Sequence, residues 1–263
     1  MLDFIGTDNS IAVQKRLRDR QFEIAQSPNL VNGGRVLHFL EPEITGWDNV
    51  REQAEVDKLA GFPVFSRDTI VPQIKKRLGP NWKTPSWNVH LGLEDQVLSA
   101  CIHVINSVEL PDDWQTTIHS QPNEDQVAEI QTLNFESGVA PYPAYYTRSE
   151  VVPVITVCIH DNCAKLVATA SVADRYHPDS RLGGHVFAGM VSVSDNHRGK
   201  GLGKIINAIA LVESHKQFGW QVATEQVAAD NPASRAMIVA CGLDHSEGLV
   251  SIAAINSDES FSR

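Results

Sequence analysis

From residue 114 onward the hydrophobic positions switch repeatedly between strand-like and helix-like spacing, which predicts alternating strands and helices. Residues 114–119 have strand composition. Asn123 then offers a helix N-cap with Gln126 three residues on, a capping-box arrangement, and Val127, Ile130 and Leu133 follow at helical spacing. Beyond the Pro/Tyr-rich stretch 141–146, the β-branched runs 151–159 and 166–172 flank the polar turn His160-Asp-Asn and predict a hairpin. Residues 185–193 read as a further strand entering a glycine-rich segment, 196–203. Leu202, Ile205, Ile206, Ile209 and Val212 fall on one face of a helix ending near Gly219. Residues 221–227 predict a strand, and Asn231, Pro232 and Gly242 bracket a short helix. A last strand, 249–255, precedes a polar tail, 256–263.

The first 110 residues carry weaker patterning. A strand at 36–40, helices at 47–60 and 67–78, and strands at 88–93 and 97–108 give the order β-α-α-β-β. The same order runs from 114 to 172 if 142–150 forms a short helix, so a degenerate half-repeat relating 35–108 to 114–175 is an expectation.

The 263 residues are 42% hydrophobic and 21% charged, an ordinary globular composition, long enough for one large domain or two modest ones. The longest apolar runs, 151–159 and 249–255, stop well short of the roughly 18 apolar residues a membrane span needs. Asp3 stands where a secretory signal carries a base, so a cytoplasmic location is expected. The four cysteines contain no C-x-x-C pair and read as reduced core residues. The ten histidines lack metal-ligand spacing, so no metal is expected.

Charge changes this picture in one place. With 32 acidic and 22 basic residues the chain carries a net −10, which argues against nonspecific nucleic-acid binding. Residues 111–184 hold ten acids and four bases, whereas 196–216 hold Arg198, Lys200, Lys204 and Lys216 against Glu213 alone. A strand delivering a glycine-rich, basic turn to a helix N-terminus is suited to an anion, because the first helical N–H groups have no internal partner and the helix dipole adds positive charge. The P-loop spacing fails, since Ile205 follows Gly203-Lys204 and Arg198 stands five before Gly203. The dinucleotide spacing fails too, because Lys204 occupies the third glycine's position.

The segment does match R-x-x-G-x-G at Arg198, Gly201 and Gly203, after Val191 and Val193 on the strand. Here the sequence resembles the GCN5-related N-acetyltransferase (GNAT) family, in which this segment binds the pyrophosphate of acetyl-CoA. A second signature, Asn231-Pro-Ala-Ser234-Arg235 followed by Gly242-Leu243, resembles the family's N-x-x-[AS] helix. The resemblance spans roughly 114–255. It implies a mixed α/β (α+β) sheet flanked by helices, with the β-α-α-β-β region as an N-terminal extension. The implied organisation is an accessory region at 1–110, an acyltransferase-like domain at 111–256 and the tail. It further implies acetyl-CoA binding by Val191, Val193, Arg198, Gly199, Lys200, Gly201, Leu202, Gly203, Lys204, Asn231, Ser234 and Arg235.

Amide formation from a thioester needs a deprotonated amine, a donor for the developing oxyanion and a proton for the leaving thiolate. The resemblance assigns the donor to the backbone of 191–193. It also implies a Glu or Asp on the same strand as general base, where this chain offers only the Ser192 hydroxyl, and a tyrosine as general acid at the position of Ile238. Tyr145 and Tyr146, with Tyr142, lie in the segment that lines the acceptor pocket in this fold and are candidates for catalysis or for packing. Glu225 is a candidate base or an ordinary charged strand residue. The acidic middle segment would suit a cationic amine. The N-terminal region, with Trp47, Trp82 and Trp87, is expected to cap the acceptor side or form an interface, leaving a homodimer among the expected assemblies. The function expected is transfer of an acetyl group from acetyl-CoA to a small-molecule amine, with no nucleic-acid or membrane partner. The alternative is a catalytically silent CoA-binding sensor or interaction module.

Overall fold

The computed structural model describes residues 3–256, so residues 257–263 of the expected tail lie outside the described residues. The chain opens with α1 (Asp8–Asp19) and α2 (Gln21–Ala25), which lead into the hairpin β1 (Leu30–Asn32) and β2 (Leu37–Phe39). There follow α3 (Pro42–Thr45), α4 (Trp47–Asp57), β3 (Leu59–Ser66), α5 (Arg67–Arg77), β4 (Ser86–Leu93) and α6 (Glu94–Ser107). The second part contains β5 (Gln115–His119), α7 (Glu124–Glu136), α8 (Ala144–Thr147), β6 (Val154–His160), β7 (Leu166–Ala173) and β8 (His185–Val193). It ends with α9 (Leu202–Phe218), β9 (Val222–Val227), α10 (Pro232–Ala240) and β10 (Asp244–Ile255).

The punctuation read from the second part is present. Asn123 and Gln126 exchange side-chain and backbone hydrogen bonds at 2.9 and 3.0 Å to start α7. Gly219 closes α9 with a left-handed φ of 63°. The first part corrects two expectations. Residues 97–108 belong mostly to a helix: their β-branched composition suggested a strand, but Val97, Cys101 and Val104 recur at helical spacing and bury one face. Residues 59–66 form a strand, with the preceding helix ending at Asp57 and Lys58 turning the chain at φ 55°. The order β-α-α-β-β is therefore replaced by two strands, two helices and then alternating strand and helix.

All ten strands join one sheet in the order β1-β2-β3-β10-β4-β9-β8-β7-β6-β5. An antiparallel hairpin, β1-β2, crosses over through α4 to β3, which lies parallel to β2, and then through α5 to β4. The hairpin β7-β8 does the same through α9 to β9 and through α10 to β10. The topological correspondence thus relates 30–93 to 166–255 rather than 35–108 to 114–175. The last strands of the two units are exchanged. Both neighbours of β10 are β3 and β4 from the first part, and β4 lies between β10 and β9.

The cores are exchanged in the same way. Val250, Ile252 and Ala254 of β10 pack with Phe62, Trp47, Trp82 and Ile70, whereas Val97, Cys101 and Val104 of α6 pack with Ile206, Leu211 and Ile238. Polar ties add to this. Tyr145 Oη approaches the carbonyls of Gln14 and Gly34 at 3.2 and 3.0 Å, and Tyr146 Oη donates to Asn32 at 3.2 Å. Arg181 donates to the carbonyls of Leu40, Pro63 and Val64 at 2.6–2.9 Å.

Removing the first part would strip β10 of both neighbours, leave one edge of β9 unpaired and expose the α6-facing core. Each large apolar side chain returned to water costs about 1.5–3 kcal/mol. Residues 111–263 expressed alone should therefore show no cooperative thermal transition by circular dichroism, in contrast to the full chain.

Candidate active site

The site begins with a slip in β8. Ser171 pairs with Gly189 and Thr169 with Ser192, so Met190 and Val191 together oppose Ala170. Met190 takes a φ of 55°, and the bulge bends the strand. Beyond it β8 and β9 diverge: they pair only where His185–Phe187 meet Val222–Thr224. A cleft opens between residues 188–191 and 225–228.

At the end of β8 the chain makes a short turn and enters α9. Gly199 and Gly201 have φ of 75° and 83°, a conformation that disfavours side chains, and Gly201 caps the helix without a side-chain hydrogen bond. A Cβ at Gly203 would make only side-chain contacts, 3.4 Å from Met237 Sδ and 3.9 Å from Val193 Cγ2. Arg198 is exposed and braced by Val193 O at 3.3 Å, Ser137 O at 3.4 Å and Asp195 at 3.2 Å. Lys200 reaches Asn196 O at 3.1 Å, and Lys204 is exposed. Leu202 is buried, anchoring the helix, and offers the site its backbone rather than its side chain. At α10, Asn231 Oδ1 accepts from the Ser234 N–H at 3.0 Å, and Arg235 braces the preceding loop through Ala229 O.

The cleft continues into a cavity of about 320 Å³. Val191, Asn231, Ser234 and Ile238 line it, and so do Arg35, His38, Trp87, Tyr142 and Arg175. Val193 and the glycine turn lie outside this cavity wall. Glu225 is the one carboxylate in the wall among the described residues, and it is 2% exposed. Its Oε1 accepts from Asn207 Nδ2 at 2.7 Å. Burial pushes its pKa up to about 7, against the opposing effect of that hydrogen bond.

The other candidate catalytic residues are placed elsewhere. Ser192 is buried and donates to Asn134 Oδ1 at 2.8 Å. The Tyr145 and Tyr146 hydroxyls are occupied by the carbonyls described above, and neither residue lines the cavity. Tyr142 lines it, as does Ile238, which carries no proton to give. The ten acids of 111–184 contribute none of the wall, whose contribution from that segment includes Arg175. Trp87 lines the cavity, whereas Trp47 and Trp82 are core residues of the first part. Arg35, His38 and Arg175 carry no local sequence signal; sheet order brings them together. Among the described residues no group of three His, Cys, Asp or Glu side chains is arranged to hold a metal, and no helix is long and apolar enough to cross a membrane.

Comparisons with known proteins agree with this geometry. The family model described as "Acetyltransferase (GNAT) family" matches residues 123–243. No curated protein matches the chain by sequence. Similar solved structures include a GCN5-related N-acetyltransferase from Kribbella flavida, with 14% identity, 95% of this chain and 97% of that one covered, and a TM-score of 0.59. A GCN5-related N-acetyltransferase-like protein from Streptococcus suis has 13% identity, coverage of 93% and 99%, and a TM-score of 0.56. A tandem GNAT protein from the clavulanic acid biosynthesis pathway has 12% identity, coverage of 87% and 78%, and a TM-score of 0.54. At these identities the likeness is one of fold, and it extends over the first part of the chain as well as the second. The bulged β8 and the glycine turn both fall within the segment, residues 123–243, that the acetyltransferase (GNAT) family model matches.

Proposed function

We propose that this protein transfers an acetyl group from acetyl-CoA to the amine of a small molecule. One observation carries the reading: the glycine-rich turn that follows β8 presents helical N–H groups without a side-chain cap, and the same strand, through residues 188–191, lines a cavity whose one wall carboxylate among the described residues is Glu225. Acetyl-CoA, when bound, supplies the activated acyl group. The chain fits it at the turn, where uncapped helical N–H groups and the flanking Arg198, Lys200 and Lys204 suit a pyrophosphate. Asn231 and Ser234 line the cleft beyond.

The bulge at Met190–Val191 interrupts the β7–β8 ladder and frees backbone donors beside the cleft, where the carbonyl oxygen of a thioester would gain charge. Glu225, ionised above about pH 7, accepts a proton from the acceptor's ammonium group. The freed amine attacks the acyl carbon; as the C–N bond forms and the C–S bond breaks, the nitrogen's second proton passes to the departing thiolate, and the proton held by Glu225 is released to solvent. This route needs no side-chain acid at Ile238.

Three measurements test the reading. Acetyl-CoA should raise the melting temperature of the full chain, and Arg198→Ala and Gly201→Glu should each abolish most of that rise. Thiol release from acetyl-CoA with a panel of amines should detect turnover; stabilisation without turnover on a broad panel would favour the silent CoA-binding alternative. Glu225→Gln should lower kcat about 100-fold and remove a rise in rate through about pH 7.

The same carboxyl predicts a stability effect. Its folded pKa exceeds its ordinary value of 4.5, so the folded state holds the proton more tightly, and wild-type stability falls as pH rises from there to about 7. Glu225→Gln should escape this loss. The melting-temperature advantage of the variant should widen across that window and level off above it.

A further inference from the structure

The cavity wall that holds Glu225 also holds a buried arginine. Arg175, just after β7, is 7% exposed. Its guanidinium lies 3.9 Å from the centre of the Phe187 ring, and Nη2 donates to Tyr176 Oη at 3.2 Å. Its Nε is buried without a hydrogen-bond partner. The groups that interact with its charge are the tyrosines 142, 146 and 176, and no carboxylate among the described residues pairs with it.

Two further orphaned atoms line the same cavity. His38, on β2, is 8% exposed and packs against Gly33 and Gly61, where any Cβ would collide with its ring. Its Nδ1 is buried without a partner, as is Gln226 Nε2. Burial and the neighbouring Arg175 charge hold the imidazole neutral. Arg35, from the turn between β1 and β2, adds a second guanidinium to the wall.

A buried cation without a counter-charge, beside unpaired polar atoms, is costly to maintain. A ligand bearing an anion would remove that cost, and the planar guanidinium fork matches a carboxylate or a phosphate. We propose that the acceptor is an amine that also carries an anionic group, a carboxylate or a phosphate, held by Arg175 with His38, Gln226 and Arg35 while its amine faces Glu225. The cavity of about 320 Å³ is of a size that takes a small molecule. The proposal rests on the acyl-transfer reading for the amine end alone; the anion end stands on the unpartnered Arg175 Nε, His38 Nδ1 and Gln226 Nε2.

The test uses the full chain, with L-amino acids and β-alanine compared with their carboxamides, and phosphoethanolamine compared with ethanolamine. Thiol release from acetyl-CoA and thermal stabilisation without acetyl-CoA are measured for wild type and Arg175→Gln. The acidic member of a pair should be preferred about 100-fold in kcat/KM, and Arg175→Gln should bring that ratio close to one, chiefly through KM. The carboxylate and phosphate pairs distinguish the two anions. Acidic compounds should also raise the melting temperature of wild type and not of the variant.

Equal or better use of carboxamides and simple amines by wild type would overturn the proposal, as would an unchanged preference in a folded Arg175→Gln. If that variant does not fold, the wild-type ratio decides alone. Stabilisation by acidic compounds with no turnover of any amine would sink the acyl-transfer reading and leave the anion site standing. Turnover restricted to neutral amines would do the reverse, and neither turnover nor stabilisation would overturn both.

Discussion

A strand inside a sheet must find partners for its backbone groups on both edges, and here the two central strands find them in the other half of the chain. β10, the last strand, lies between β3 and β4, and β4 in turn separates β10 from β9. Neither half closes its sheet without the other. The exchange also decides where a site can be. It brings His38 of β2 and Gly61 of β3 to the same cavity as the β8/β9 divergence, with Trp87 of β4 and residues 251–253 of β10 in its wall. The N-terminal region is thus part of the site's construction.

The two halves share a topology and divide the chemistry. Gly46 caps α4 and Gly201 caps α9, both with a positive φ but with ψ of 122° and −4°. The helix Gly46 starts opens with Trp47, buried in the core, and Asp48, so that end offers an anion neither open space nor positive charge. Only the second half carries the glycine turn. The first half supplies Arg35 and His38 to the wall instead. In a chain of net charge −10, Arg198, Lys200 and Lys204 cluster at the exposed turn, while Arg35 and Arg175 share the cavity wall with Glu225.

What the sequence made legible was local. The capping box at Asn123, the glycine turn and the Asn231 cap each depend on neighbours a few residues away, and each is present. The helix at 94–107 was obscured because Val97, Ile102, Val104 and Ile105 favour strands by composition, and its helical face is fixed by packing on distant elements, chiefly α9. The strand at 59–66 was hidden by Gly61 and Pro63; Gly61 is also where the His38 ring comes close. Glu225 was identified as one of several candidates, but its burial and raised pKa depend on Asn207 and the surrounding core. Tyr145 and Tyr146 illustrate the converse: their place in the chain suggested the acceptor pocket, and contacts more than 100 residues distant in sequence turn their hydroxyls to the first half. Arg175 gave no signal at all, since its significance lies in what sheet order sets beside it.

The central claim is that one continuous channel joins an anion cradle at the glycine turn to Glu225 and the cationic wall. A crystal structure of the full chain with CoA bound tests it most directly. The account predicts the pyrophosphate on the N–H groups of 199–203, the pantetheine arm between the diverging ends of β8 and β9, and the thiol at Met190–Val191, opening toward Glu225. A pyrophosphate bound away from that turn, or a thiol that ends outside the cavity, would contradict it.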